Sequence, residues 1–299
     1  MDGVEILQEL GLQGAAYAAP VAGGHGVGFG VDELVAPASV MKVQVALTVE
    51  SLIAAGSLDG SARRLMRSDD RTYGPVGIPL MRDDVSMSVR DLVVAMLTVS
   101  DNVATDELIA VAGLDEINRT TLKIGMVRTR IASDIRTMLD EIARDLGFSD
   151  FRTLATHDPD MSGAPSEDEI RRGIAASSPM DPARGTRTTA AETVLLLQSI
   201  WTDSGAPPNA CAAVRQRMAQ QLTRHRIASA FGPPITVAAK SGALLGVVRN
   251  EAGVVTFPDG AAYAVAVFTR REVSISVDPG RIDAGIGRIA RLLVEQLRS

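Results

Sequence analysis

Apolar residues recur along the chain with a helical period in some stretches and a strand-like pattern in others. From Ser39 to about Ala55 the apolar positions follow a helical spacing, and Pro37 precedes the run. Residues 4–11 fit a short helix, and the stretches near 13–19 and 26–31 fit short strands. The N-terminal part therefore predicts a helix, two strands and a long helix whose first turn contains Ser39.

The middle of the chain is almost entirely helical in pattern. Ser88 begins a capping-box-like sequence and predicts a helix through about Leu97, after which a polar triplet at 100–102 forms a turn. Further helical patterns cover 103–112, 133–145, 166–176, 188–201 and 209–222. The stretch 148–187 is rich in Asp, Ser, Gly and Pro, so it predicts a long loop that carries one helix.

The last third of the chain changes to Val- and Ala-rich strands. Residues 235–241, 246–256 and 262–270 predict antiparallel strands joined by hairpins, and 280–297 predicts an amphipathic helix. Strands from both ends around an α-rich middle predict an α+β protein, with an antiparallel sheet flanked by terminal helices. We expect one discontinuous domain, 1–38 with 205–299, and an inserted all-α domain, 39–204.

Composition excludes several classes of function. A net charge of -6 and only 3% aromatic residues argue against nucleic-acid binding. No apolar run is long enough to cross a bilayer. The single cysteine, Cys211, rules out an internal disulfide, and its helical setting predicts a buried, inert thiol. The histidines His25, His157 and His225 are far apart in sequence, so we expect no metal and no other cofactor.

The N-terminus lacks the basic and apolar regions of a secretory leader, which predicts a cytoplasmic protein as the sequence stands. A secreted protein whose leader has been removed would look the same, so secretion stays open. Nothing in the sequence indicates an oligomeric state.

Lysine is rare and its placement is informative. The chain has three lysines against 27 arginines, and two of the three lie in the short motifs Ser39-Val40-Met41-Lys42 and Lys240-Ser241-Gly242. Arginine stays charged at any accessible pH, whereas a lysine can lose its proton when it is partly desolvated. No Gly-x-Ser-x-Gly motif is present. A serine hydrolase built from this chain would therefore use lysine as its base.

The first motif has the geometry that nucleophilic catalysis needs. Ser39 at the first turn of a helix lies among unpaired backbone N–H groups. Lys42 is three residues on, so its amine lies on the same helix face and can reach the hydroxyl. We predict Ser39 as the nucleophile and Lys42 as its base. The alternatives are a helix-capping serine and a surface lysine.

Together with Ser100-Asp101-Asn102, which lies between them, the two lysine motifs resemble those of the penicillin-recognising serine hydrolases, and most closely class A β-lactamases. The resemblance extends from about Ser39 to the C-terminus. It implies a β-lactamase/D,D-peptidase-like fold with its active-site cleft between the two halves. It also implies a small-molecule substrate, a β-lactam or a related ester or amide that carries a carboxylate.

The resemblance assigns roles to the polar triplets. Ser100 would pass a proton to the leaving nitrogen, and Asn102 would donate to the substrate amide; alternatively both are only turn and cap residues, and Asp101 is expected to be structural. Lys240 and Ser241 would bind the substrate carboxylate, and Gly242 would let a substrate backbone approach closely.

The resemblance also implies an oxyanion hole formed by the backbone N–H groups of Ser39 and Ala243. Arg249 falls where many class A enzymes place an arginine for the carboxylate, although a solvated strand arginine is an equal alternative. Tyr73 is expected at the mouth of the cleft.

One stretch departs from the family pattern. Class A β-lactamases carry a Glu-x-x-Leu-Asn sequence whose glutamate positions the deacylating water, and this chain lacks it. Residues 129–131 resemble the start of that loop and 187–189 its end. Asp134, Glu167 and Glu169 are candidate substitutes, or ordinary acids at helix starts.

Three functions follow. The first is a class A-like β-lactamase that opens the β-lactam amide through an acyl-enzyme on Ser39. The second is a penicillin-binding esterase or D,D-peptidase that releases β-lactams slowly. The third is a β-lactam-binding module that becomes acylated and stays so.

Overall fold

The computed structural model describes residues 2–157, 165–272 and 277–299; part of the predicted loop, 158–164, lies outside this description. Among these residues, five strands form an antiparallel sheet: β1 (Leu12–Pro20), β2 (Val27–Phe29), β5 (Thr236–Leu244), β6 (Val248–Thr256) and β7 (Ala262–Arg271). Their order in the sheet is β2-β1-β7-β6-β5. Strands from both ends of the chain therefore pair in one sheet, with β5 on an edge.

Helices cover both faces of the sheet. On one face, α1 (Gly3–Glu9) and α11 (Pro279–Arg298) bury Ile6, Ile286 and Ile289 against β1 and β7. The other face packs against the helical part of the chain, where α2 (Lys42–Ala54) and α9 (Ala190–Trp201) belong to the larger core. The other helices are α3 (Val89–Thr98), α4 (Asn102–Ala112), α5 (Leu114–Lys123), α6 (Ile135–Asp145), α7 (Phe151–Ala155), α8 (Glu167–Ala176) and α10 (Pro208–Ala219).

The predicted α+β architecture is confirmed, and several elements were missed. Helix α5 was not predicted, and neither were α7 or the two-stranded sheet of β3 (Arg63–Met66) and β4 (Val85–Ser88). The small sheet has mostly exposed or half-buried residues; β3 has no apolar alternation, and β4 alternates over only four residues, which is a weak strand signal. The domain boundaries stay a prediction.

The two ends of the segment from Arg130 to Arg187 are joined by backbone hydrogen bonds. The backbone N–H of each residue donates to the carbonyl of the other, at 3.0 and 2.9 Å. Next to this pair, the Thr129 and Thr188 hydroxyls lie 2.8 Å apart, and Thr129 also donates to Glu192. At its far side the segment is fixed to β7, because the guanidinium of Arg270 donates to the carbonyls of Met180 and Ala175. The two ends of this segment therefore lie next to each other, and Ala175 and Met180 hold it against the sheet.

Candidate active site

Ser39 lies in a 3-10 turn, Ala38–Met41, that leads directly into α2. The turn is half-buried at Ser39, and the preceding Ala38 has a φ of 48°. A positive φ is strained for a residue with a Cβ and persists only where its surroundings enforce it. The predicted helix start is thus a tight turn that places Ser39 at the N-terminal end of α2.

Lys42, in the first turn of α2, is completely buried. Its Nζ lies 2.7 Å from the Ser100 carbonyl oxygen, 2.8 Å from Asn102 Oδ1 and 3.3 Å from Ser100 Oγ. Burial lowers the pKa of Lys42 to about 7, although the charges of Asp101 and Asp106 oppose the shift. The amine is therefore available in its neutral form near neutral pH. Within the described residues its hydrogen bonds go to the triplet at 100–102, and a direct bond to Ser39 is not among them.

The triplet at 100–102 is held rigidly between α3 and α4. Ser100 has a φ of 65°, and buried Asp101 caps α4 by accepting from the N–H of Ala104 at 2.8 Å. The other carboxylate oxygen of Asp101 accepts from the N–H of Ile78 at 2.6 Å, so this residue has the structural role that was expected. Asn102 uses its oxygen for Lys42 and donates its amide to the Tyr73 carbonyl at 2.9 Å.

Strand β5 passes directly beside the turn that carries Ser39. A Cβ added to Gly242 would lie 2.7 Å from the Pro37 carbonyl oxygen and 3.1 Å from the backbone nitrogen of Ser39. Only glycine allows this approach of strand to turn. Lys240 is completely buried, and its Nζ donates to the Ser241 carbonyl at 2.7 Å. Burial, with a smaller contribution from the charge of Lys42, holds the pKa of Lys240 well below its ordinary value.

The free edge of β5 supplies backbone donors toward this turn. The N–H of Ser241 donates to the side chain of Gln221 and so points away from β6. Because N–H directions alternate along a strand, the N–H of Ala243 points to the same free edge. Ala243 also lines the cavity beside Ser39. This direction is the one that an oxyanion hole requires.

Arg249 is placed opposite Ala243 on the neighbouring strand. Its Nε and Nη2 bind the carboxylate of buried Asp283 at 2.9 and 2.6 Å. Asp283 also accepts from Arg226 at 2.7 Å, and Arg226 in turn donates to the carbonyls of Gly242 and Asn250. Arg249 is therefore part of an ion-pair network behind β5 and is neither a free ligand-binding group nor a solvated strand arginine.

The cavity beside Ser39 is small and mostly apolar. Its volume is about 60 Å³, and Ile135, Met138, Met180 and Leu244 line it together with Ser39. The described residues that line it include no aspartate or glutamate. Tyr73, expected at its mouth, is not among them; its half-exposed ring packs edge-on against Phe151 in the neighbouring pocket.

The three proposed substitutes for the family's glutamate lie elsewhere. Asp134 caps α6 by accepting from the N–H of Thr137 at 2.7 Å, and Glu169 closes the capping box of α8 with Ser166. Glu167 is exposed in the first turn of α8. All three are thus helix-start acids, which was the alternative interpretation.

Several residues of the site carry no sequence signal. Asp106 accepts from the Thr72 hydroxyl and from the N–H groups of Ile135 and Arg136, and so joins the loop before Tyr73 to the start of α6. Burial raises the pKa of Asp106 to about 6. An isolated helix aspartate gives no such hint in the sequence. Arg226, Gln221 and Glu251, all buried behind β5, were missed for the same reason.

Metal ligation and membrane crossing find no support in the described residues. No group of three or more His, Cys, Asp or Glu side chains among them has the arrangement to hold a metal ion. No helix in the described part of the chain combines the length and the apolar character needed to cross a membrane.

Comparison with known proteins places this geometry in context. The sequence profile described as "Beta-lactamase enzyme family" matches residues 5–297. The "Beta-lactamase regulatory protein BlaB" of Streptomyces cacaoi is 29% identical, covering 98% of this chain and 96% of that protein.

Two solved structures share the fold. A mutant of the class A beta-lactamase from the last common ancestor of Gram-negative bacteria has a TM-score of 0.77 and 20% identity, with 99% of this chain and 97% of that chain covered. An acyl-enzyme complex of a PBP-A mutant with penicillin G has a TM-score of 0.73 and 20% identity, with 99% and 96% covered. The predicted resemblance and fold are confirmed.

Proposed function

The chain belongs to the beta-lactamase enzyme family, and we propose that it is a β-lactamase-like serine hydrolase that forms an acyl-enzyme on Ser39. The observation that carries this proposal is the buried amine of Lys42, whose pKa of about 7 provides a base at neutral pH beside the Ser39 turn. A neutral amine has two N–H bonds, and the two shortest contacts, to the Ser100 carbonyl and Asn102 Oδ1, use both. Its lone pair then remains to accept a proton from a hydroxyl.

In the proposed reaction, the Ser39 oxygen attacks the carbonyl carbon of the substrate. The hydroxyl proton passes to the Lys42 amine, directly or through Ser100, whose Oγ lies 3.3 Å from Nζ. The backbone N–H groups of Ser39 and Ala243 stabilise the oxyanion. The C–N bond then breaks as Ser100 gives its hydroxyl proton to the leaving nitrogen, and the protonated amine of Lys42 restores the proton of Ser100. Water later hydrolyses the ester bond to Ser39.

The proposed substrate is a small molecule that carries a carboxylate, namely a β-lactam or a related ester or amide. The Lys240-Ser241-Gly242 motif, which resembles the family's carboxylate-binding motif, lies on the strand beside the Ser39 turn; Lys240 itself is completely buried and donates to the Ser241 carbonyl. The PBP-A structure with penicillin G bound as an acyl-enzyme supports this substrate class for a protein of the same fold.

A second candidate function rests on the apolar cavity. Hydrolysis of the acyl-enzyme needs a base for water, and the described residues around the cavity beside Ser39 supply no carboxylate. This favours a penicillin-binding esterase or peptidase that is acylated readily by β-lactams and releases them slowly. The named regulatory role of the Streptomyces cacaoi relative fits a protein that only binds β-lactams.

One experiment separates these functions. The protein is mixed with a chromogenic cephalosporin or an activated ester, and product and intact mass are followed together. Continuous cephalosporin turnover supports the β-lactamase. Ester turnover with a lasting β-lactam adduct supports the second candidate, and a single-equivalent burst with both substrates supports a binding module. Ser39→Ala abolishes the adduct in each case; an adduct that forms in this variant refutes Ser39 as the nucleophile.

A further inference from the structure

A buried carboxylate lies behind β5 and takes no part in the proposed reaction. Glu251, on β6, is completely buried and is the cross-strand partner of Ser241, so the two side chains share one face of the sheet. Its Oε1 accepts from Gln221 Nε2 at 3.0 Å, and its Oε2 accepts from the N–H of Ile227 at 2.6 Å. A buried acid of this kind is stable only when its acceptors are occupied.

Gln221 connects this acid to the edge of β5. Its Nε2 donates to Glu251 and also to the Thr223 carbonyl at 2.9 Å, while its Oε1 accepts from the N–H of Ser241. Burial raises the pKa of Glu251, whereas the N–H of Ile227 and the charge of Arg226 favour its ionised form. The ionised carboxylate can only accept, so it requires the NH2 end of the Gln221 amide. The oxygen end must then face Ser241. The carboxylate of Glu251 therefore fixes the direction of the whole hydrogen-bonded chain.

The chain matters because β5 is an edge strand. Within the described residues, the N–H of Ser241 has no partner strand on its side, and Gln221 supplies the missing acceptor. The same edge, two residues further, carries the N–H of Ala243. The contact between Gln221 and the Ser241 N–H therefore also sets the position of the Ala243 N–H, the proposed oxyanion donor.

Glu251 also lies among buried basic groups. Its charge acts on Lys240 on one side and on Arg226 on the other. Arg226 is itself tied to the Gly242 carbonyl at 3.0 Å. The carboxylate thus supports two basic side chains that contact consecutive residues of the Lys240-Ser241-Gly242 triplet.

We propose that Glu251 and Gln221 are positioning residues for acylation: they hold the edge of β5 so that the Ala243 N–H faces the reacting carbonyl beside Ser39. This inference rests on the proposed acyl-enzyme chemistry and adds two residues to it that contact no substrate.

The test uses Glu251→Gln, Gln221→Glu and the double variant that carries both changes. In Glu251→Gln, the new side-chain amide has one oxygen to accept from two donors, Gln221 Nε2 and the N–H of Ile227. Its NH2 group therefore faces one of these donors. In Gln221→Glu, two carboxylates face each other. The double variant restores the direction of the chain, since the amide at 251 can donate to the carboxylate at 221, which accepts from Ser241. The bond to the Thr223 carbonyl is lost, and a carboxylate oxygen faces that carbonyl instead, so the rescue is partial.

We expect each single variant to lower the acylation rate constant with a chromogenic cephalosporin by roughly tenfold or more, since small misplacements of reacting groups are this costly. The double variant should recover most of that loss. Denaturant unfolding is measured for all three, with Glu50→Gln, a half-buried acid near the end of α2, as the control. A purely structural role would lower the unfolding free energy of the single variants but leave the acylation rate constant of the folded molecules unchanged.

The proposal is overturned if the acylation rate constants of the single variants stay within about twofold of wild type. It is also overturned if the double variant is no faster than the slower single variant. If the wild-type protein forms no adduct, it is the acyl-enzyme function that fails. Hydrogen exchange of the Ser241 amide still decides the positioning chain in that case. Faster exchange in the single variants and recovery in the double variant support it, and unchanged exchange refutes it.

Discussion

Replacing Lys42 by methionine should remove a pH dependence from the stability of the fold. The pKa of this amine falls from 10.5 to about 7 because the side chain is buried. Between these values the unfolded chain holds a proton that the folded chain lacks, so the unfolding free energy of the wild type rises with pH. At about 1.4 kcal/mol for each pKa unit, the rise reaches at most about 5 kcal/mol.

The measurement compares urea unfolding of wild type and Lys42→Met at several pH values from about 6.5 to about 10, the window between the two pKa values. Wild type should gain stability relative to the variant as pH rises, and acylation should fall by about 10²–10⁴-fold in the variant because its base is gone. Lys123→Met is the matched control, since Lys123 is exposed at the end of α5. A stability difference that does not change with pH would show that Lys42 is charged in the folded protein, and the argument for a neutral amine would fail.

Three further changes test other parts of the site. Gly242→Ala should slow acylation by roughly tenfold or more, since the new Cβ forces β5 away from the Ser39 turn, whereas Gly232→Ala has open space and should leave the rate unchanged. Ile135→Glu places a carboxylate in the cavity beside Ser39; it should speed release of the β-lactam adduct by roughly tenfold or more, and an unchanged mass-spectrometric half-life would contradict the deacylation argument. Asp106→Asn addresses the carboxyl whose pKa is raised from 3.8 to about 6. Because the protonated form is favoured in the fold, wild type should lose up to about 3 kcal/mol relative to this variant as pH rises from about 4 to about 7, measured by unfolding.

The sequence was sufficient for the parts of the fold that have a strong period. The long helix after Ser39, the three C-terminal strands and the last helix lie within a few residues of their predicted bounds, because each has a continuous apolar face. Strand β3 lacks such a face, and β4 has only Val85 and Met87 on its apolar side. Helix α5 was missed because few of its residues are apolar, namely Leu114, Ile117 and Leu122.

The candidate site, like the fold, was only partly predictable from the sequence. Three short motifs predicted which polar groups meet, because their chemistry requires particular residue types in a particular order. The partners of those groups could not be predicted. Nothing next to Asp283 or Glu251 in the sequence reveals that a strand register and a distant helix place each of them beside an arginine. Such pairs come from tertiary packing, which a local pattern does not contain.

The two ends of the segment 130–187 are hydrogen-bonded to each other, so this segment can change in length without a change in the rest of the site. Residues inserted into or removed from that segment, away from its contacts with Asp106 and Arg270, should leave the Ser39, Ser100 and Lys240 motifs where they are, because its ends meet at a two-bond ladder. The entropy of closing such a loop grows only with the logarithm of its length. One wall of the cavity beside Ser39, which Ile135, Met138 and Met180 line, can therefore change while the proposed reacting groups stay fixed. Differences in which acyl groups are accepted, and in how long they stay bound, should accumulate there first.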